Sequence, residues 1–461
     1  MPKIFQRKLV VAFLITLLIL PSLFSCSGAV RADIEKDLSL SSLEIIPTDM
    51  LAGADNIVYP KNFIVLCENG TEDELFASSE DKDITPKNIF LRNVTLSADY
   101  DITLEYMVEQ DVVKKATAEM LSQDKGYDML IISASSAAPL ITAGALTDLD
   151  SITGWSDSLE GYSHKVMDDL SVGEKIFLAT GDATPSLFAS TSAILMNREL
   201  AESIEATSII ISAAKNGRFT YDMMMNYGKQ LSSHRGEEVF SAPSVIRLDP
   251  SYAFDLYISG GGIFLETNKV TDLPSEISFG TKEKDLYKNV IALFGISEEE
   301  EAEDQISVSA PLFTASSMRE LSALSKENSP FVPMPMPKSN IIQGEYISNV
   351  DIKNVRFTAL PYGKGETELA VMNLIYSLSG DIISSMCEYV DKTDSGMAKL
   401  IYESANASLF SLFGFGDIEG FMEDCINERL SSKVFALRAK ERSQAASAAL
   451  SIVIEKSAKS D

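Results

Sequence analysis

The chain has 461 residues, 45% of them hydrophobic, and 67 acidic against 39 basic side chains give a formal net charge of −28. That length suggests two or three compact units with enough apolar residues for sizeable cores. The acidity excludes a nucleic-acid binder, because such binding rests on Lys and Arg neutralising phosphate.

The chain opens on Lys3, Arg7 and Lys8, followed by the apolar run LVVAFLITLLILPSLF at 9–24. A bilayer-spanning helix needs about 20 apolar residues, and this run is shorter. A basic start, a compact apolar stretch and small residues after it describe an export signal over 1–25. The run ends in Leu23-Phe24-Ser25-Cys26. This resembles the bacterial lipobox, in which the cysteine is lipidated and becomes the new N-terminus, although Phe24 is larger than the usual residue. Lipid on Cys26 would anchor the protein to the extracytoplasmic face of the cell membrane without spanning it. Loss of the three basic residues takes the net charge from −28 to −31. No later segment reads as apolar enough to span. The remaining cysteines, Cys67, Cys387 and Cys425, cannot all pair with one another.

Residues 26–56 read as a tether. NFIVLCENG (62–70) is a buried strand stopped by Asn-Gly. DVVKKATAEMLSQDKG (111–126) carries Val112, Ala116, Met120 and Leu121 at helical spacing, with Gly126 as cap. YDMLIISASS (127–136) is again strand-like, and APLITAGALTDLDSI is a short helix capped at Gly144. The alternation implies a parallel sheet with helices on its faces. FTYDMMMNYGKQL (219–231) starts a helix at Thr220, with Met223, Met224 and Tyr227 on one side as core filler. ISEEEEAEDQ (296–305) is a solvated acidic loop. PFVPMPMPKSN (330–340) is too proline-rich for a helix and reads as an extended connector. The C-terminal stretch 429–456 is helical.

A search for chemistry finds no H-E-x-x-H, C-x-x-C, P-loop or G-x-S-x-G pattern. GFGDIEG (414–420) has the wrong spacing for a dinucleotide loop. The two histidines, His164 and His234, have no nucleophile elbow nearby. No metal and no cofactor is expected. Two carboxylates at the right separation would suffice for glycoside hydrolysis, and 67 acids leave that open.

Three stretches together resemble the family-1 extracellular solute-binding proteins of ABC importers, the group that contains maltose-binding protein. They are GYDMLIISASSAAPLITAGALTDLDSI (126–152), DLSVGEKIFLATGDATPSLFASTSAILMNREL (169–200), and the helix-to-Pro-x-Pro-Lys segment PLFTASSMRELSAL…SPFVPMPMPKSNIIQGEYIS (311–348). The resemblance runs from about residue 57 to 425. It implies an α/β, two-lobed, class II periplasmic-binding-protein-like fold, with discontinuous lobes joined by hinge strands around a ligand cleft. Lobe 1 would comprise 57–182 plus 346–385, and lobe 2 183–345 plus 386–461.

Cleft ligands in open α/β sheets bind beyond the carboxyl ends of strands. Three such ends are polar: Glu68-Asn69 after strand 62–67, Ser133 to Ser136 after strand 128–132, and Gly181-Asp182-Ala183-Thr184 after strand 176–180. Turns favour the same residues. The expected ligand-binding residues are Glu68, Asn69, Ser135, Ser136, Asp182 and Thr184, with Trp155, Tyr252 and Phe313 as aromatic platforms. Relatives carry a tryptophan pair near Trp155; here the second place holds Ser156. The resemblance implies a lipid-anchored receptor, not an enzyme, that delivers a small-molecule ligand to membrane permease subunits. That ligand is expected to be a neutral, hydroxyl-rich carbohydrate, with a polyamine as the competing class through Glu68 and Asp182. A secreted cleft enzyme such as a glycosidase, or a sensory or adhesive lipoprotein on the same fold, are the other readings.

Overall fold

A computed structural model describes residues 58–457, apart from 80, 82, 123–124, 157–158, 238–241, 268–273, 276, 298–309, 326–329 and 393–395. The export signal, Cys26, the tether and most of the acidic run lie outside the described residues. The strands are β1 (Asn62–Glu68), β2 (Thr103–Glu109), β3 (Met129–Ser133), β4 (Ser192–Asn197), β5 (Ile246–Arg247), β6 (Glu266–Thr267), β7 (Pro274–Ser275), β8 (Phe313–Ser317), β9 (Phe331–Met334), β10 (Ser348–Asn349), β11 (Arg356–Ala359) and β12 (Ala405–Asn406).

The first sheet has the order β11-β3-β1-β2. β1 runs parallel to β2 and β3, while β11, from far along the chain, closes the other edge antiparallel. β1 and β3 are apolar at nearly every position because both faces are covered. Phe63, Val65, Cys67, Met129 and Ile131 face one core, with Leu96 and the helix Glu366–Ser377. Leu66, Leu130 and Ile132 face the other, under helices Val112–Ala118 and Ala134–Ala143. Gly144 caps the latter in the left-handed region at φ 69°. Helix Val112–Ala118 stops earlier than its periodicity suggests. The expected strand 176–180 pairs with β11 only through Ala179 and Thr358, so it is an extended segment bridged at one point.

The second sheet, β5-β8-β4-β9, is mainly antiparallel about β4. Ile194, Met196, Phe313, Val332 and Met334 face one core with Met224 of helix Tyr221–His234, which Thr220 caps. Ala193 and Leu195 face the other with Met318, Ile383 and Ile401. The proline-rich connector contributes β9, an edge strand; Pro333 lies opposite Leu195, and an edge tolerates its missing N–H.

The chain passes from first to second core between Leu187 and Phe188, returns between Tyr346 and Val350, and leaves again between Tyr376 and Ile383. The expected assignment of all of 386–461 to the second lobe departs from the packing. Ala405, Ala407, Leu409, Leu412, Leu450 and Val453 belong to the first-sheet core, whereas Ile418, Phe421, Phe435 and Ala446 belong to the second. The C-terminal helix Ser432–Ser457 therefore divides its length between the two. Against expectation, the stretch Glu366–Val390 is apolar enough to resemble a membrane span, but 61% of its most apolar window is buried. It is broken into helices Glu366–Ser377 and Gly380–Val390, and core packing accounts for its composition.

Candidate functional site

Glu68 ends β1 and ties it to the turn after β3. Its carboxylate accepts from Ser133 N at 2.7 Å and from Ser136 Oγ at 2.9 Å. The acceptor sits at the start of helix Ala134–Ala143, where the helix dipole favours negative charge. Ser133 and Ser135 hydroxyls share a 2.8 Å hydrogen bond. Asn69 is exposed, with its backbone N–H bonded to Glu109 O at 3.0 Å. These strand ends are polar and adjacent, and Glu68 and Ser136 satisfy each other.

Small residues recur along one side of this helix: Ala134, Ser135, Ala138 and Thr142. They leave a groove of about 710 Å³, walled opposite by Ser411, Leu412, Phe413 and Gly414 and reached by Lys353. Phe413 stacks on Phe415, with centroids 5.0 Å apart and planes 12° from parallel. Phe415 touches both the first- and the second-sheet cores, whereas the groove's Ala134, Ala138, Leu412 and Phe413 pack with the first-sheet core. A twisted loop sets these rings: Gly414, Gly416 and Asp417 all have positive φ. A side chain at Gly416 would meet Arg442 O at 2.9 Å. Arg442, on the C-terminal helix, also donates to Gly416 O at 2.8 Å. Lys353 donates to Glu419 at 2.8 Å, and this hydrogen bond holds its ammonium above the ordinary lysine range.

A second aromatic patch surrounds Trp155. Its ring meets Tyr162 edge-on at 5.3 Å. Tyr162 in turn stacks on Tyr376 at 4.0 Å and donates to Asn373 Oδ1 at 2.8 Å. Trp155 packs against the first-sheet core and does not line the groove. Backbones are tight here. A Cβ on Gly181 would lie 2.2 Å from Gly161 O, and one on Gly161 would lie 2.3 Å from Tyr376 O. Next to Gly181, Asp182 accepts from Tyr402 OH at 2.9 Å, and burial pushes its carboxyl up to about 6.

Two expected site residues require correction. Thr184 is 0% exposed; its hydroxyl bonds Thr180 Oγ1 at 2.8 Å and Gly181 N at 3.0 Å, so it fixes the turn. Phe313 is 0% exposed beside Phe219 and offers no face to a ligand, because β8 is an interior strand of its sheet. Tyr252 is half-buried, with its hydroxyl 3.4 Å from Glu320. Behind it, Asp255 accepts from Ser192 Oγ and Asn349 Nδ2, each at 2.6 Å, and burial raises it to about 7. Cys67, Cys387 and Cys425 are free, and burial raises each thiol to about 12. Among the described residues no group of three or more His, Cys, Asp or Glu side chains is placed to hold a metal.

Sequence reasoning missed Lys353, Phe413, Phe415, Glu419 and Tyr402. The signal was GFGDIEG: its glycines mark a strained loop that presents rings, a use that a test for phosphate-loop spacing does not detect.

No protein-family model matches the sequence, and no curated protein matches it. Solved structures do. A family 1 extracellular solute-binding protein from Bifidobacterium longum subsp. infantis aligns over 83% of this chain and 98% of its own, at TM-score 0.50 and 12% identity. A putative oligosaccharide periplasmic-binding protein from Synechococcus sp. MITs9220 aligns over 84% and 99%, at TM-score 0.50 and 12% identity. A sugar transporter from Rhizobium etli, in an open conformation, aligns over 83% and 99%, at TM-score 0.51 and 9% identity. At these identities the likeness concerns architecture, and the chain has the mixed α/β periplasmic-binding-protein-like fold.

Proposed function

We propose that this protein is an extracytoplasmic solute-binding receptor, anchored by lipid on Cys26, that delivers a carbohydrate to the permease of an ABC importer. The observation that carries the ligand class is the groove. One aromatic residue, Phe413, lines about 710 Å³ together with the polar residues Ser135, Thr142 and Lys353. A sugar packs its C–H face on a ring while its hydroxyls require polar partners. The fold supports the receptor role, since its structural relatives are described as solute-binding, oligosaccharide-binding and sugar-transporting proteins. Ligand between two lobes shifts their equilibrium by its differential affinity for the closed arrangement. A transporter subunit touching both lobes would read that difference.

A thermal-shift screen of saccharides, polyamines, amino acids and peptides tests the ligand class, because a bound ligand stabilises the fold by mass action. A saccharide should raise the melting temperature, and product analysis should show it unchanged. Polyamine shifts without any saccharide shift would overturn the carbohydrate reading; saccharide turnover would overturn the receptor reading. Cys26→Ala should release the protein from membranes, and unchanged membrane fractionation would remove the anchor from the proposal.

A further inference from the structure

β2 differs from its neighbours. It pairs in parallel with β1 from Thr103 to Glu109 and stands last in the sheet order, so its outer edge has no strand partner among the described residues. Whereas β1 and β3 are buried, Tyr106, Met107 and Val108 are 51%, 37% and 45% exposed. Edge strands are normally blunted by shortness, charged side chains (Lys above all), Pro or a bulge; β2 carries two charges, Glu105 and Glu109. TLEYMVE has seven residues in unbroken register and neither Pro nor Lys. Leu104, Tyr106 and Val108 fall on one face by the two-residue period, and Tyr106 rests on Phe76 at 4.6 Å. Such an edge is a template for another strand.

The sequence of β2 is matched to itself. An antiparallel pair about a two-fold axis through Tyr106 places Tyr106 opposite Tyr106, Leu104 opposite Val108, Glu105 opposite Met107 and Thr103 opposite Glu109. The apolar face becomes continuous, and no glutamate opposes a glutamate. Centring on Glu105 sets that residue against its own copy, and centring on Met107 sets Glu105 against Glu109. Like charges directly opposite destabilise a pair, and centring on Leu104 or Val108 pairs only the end of the strand, so charge and length together select the Tyr106 register. We propose that β2 is a self-association edge, where a second copy of this chain pairs antiparallel about Tyr106 and the two first sheets join. The interface is isologous, as a two-fold dimer requires. The inference is independent of the ligand reading. Because both chains are strongly acidic, association should strengthen as salt screens their repulsion.

Cross-linking of the full chain in membranes tests the register. Opposed Cα atoms in an antiparallel pair lie about 4.5–5.5 Å apart, inside the range of about 4.4–6.8 Å that disulfides span. Under mild oxidation Tyr106→Cys should give a covalent homodimer as its major species, and Glu105→Cys should give at least about tenfold less, because its own copy lies on the longer diagonal. Leu104→Cys and Val108→Cys should cross-link when co-expressed and remain monomeric when expressed separately. In detergent, light scattering should show a dimer that Val108→Lys converts to a monomer whose circular dichroism spectrum still matches that of the parent. Two outcomes overturn the proposal: a folded Tyr106→Cys protein that stays monomeric, and a Tyr106→Cys cross-link to a different protein.

Discussion

The Trp155–Tyr162 patch and the Phe413–Phe415 patch hold the same kind of side chain in opposite ways. Around Trp155 every neighbour is engaged inward: Tyr162 is stacked on Tyr376 and bonded to Asn373, and Gly161 and Gly181 bring backbones into contact. Around Phe413 the rings stack on each other at the end of a twisted loop, with an open groove on one side. Chemistry alone does not distinguish a core aromatic from a platform. What distinguishes them is whether other protein groups have already taken the faces of the ring.

Variants that break one patch and spare the other sharpen this contrast. The largest effect should come from Gly181→Ala, whose new Cβ would lie 2.2 Å from a backbone oxygen at φ 155°. A cost of about 4 kcal/mol or more is expected, read as a lowered denaturant midpoint; a loss below about 1 kcal/mol would show that the two backbones can separate freely. Next is Trp155→Ala, a half-buried ring packed on the first-sheet core, expected to cost about 2–3 kcal/mol. Saccharide affinity should change less than about twofold, and a larger loss with an intact fold would return Trp155 to the ligand site. Phe413→Ala should do the reverse. Stability should fall by about 1 kcal/mol or less, while saccharide affinity measured by calorimetry should fall about tenfold, or 1.4 kcal/mol.

Titration separates the patches more finely. Asp182, beside Gly181, has its folded carboxyl raised by burial from 3.8 to about 6. The folded state thus holds this proton more tightly than the unfolded chain does. The contribution is fully present below about pH 4 and is lost as pH rises through about 6. Asp182→Asn keeps an acceptor for Tyr402 OH. It should match the parent near pH 4 and exceed its stability by about 1 kcal/mol above pH 6; equal stability across that range would remove Asp182 as a source of pH dependence. At the groove, Lys353 is 70% exposed in its pair with Glu419. Lys353→Met should alter stability by no more than about 0.5 kcal/mol, and a larger change in chemical denaturation would mark the pair as a structural link.

The first sheet was legible because β1 and β3 are buried on both faces, which leaves unbroken apolar runs such as FIVLC and MLIIS. The second was less so. β5 is two residues long, and β8 begins at Phe313, whose aromatic character suggested a platform although its neighbours make it core. Glu68 and Ser136 were recognisable as polar strand ends, yet their mutual hydrogen bond depends on a pairing across 68 positions. Phe413 escaped notice because a groove wall is defined by what faces it, and helix Ala134–Ala143 lies some 270 residues earlier in the chain. The excursion of Ala405–Leu412 into the first core was hidden for the same reason: a short apolar segment does not name its partner.

The C-terminal helix sets a timetable. Leu450 and Val453 complete a core whose earliest described members, near residue 64, emerge at the start of synthesis. Domains made on a ribosome commonly fold in order from the N-terminus, but this first core lacks two of its apolar members until Leu450 and Val453 have been added. A chain cut before Leu450 would leave that core open where these two side chains pack.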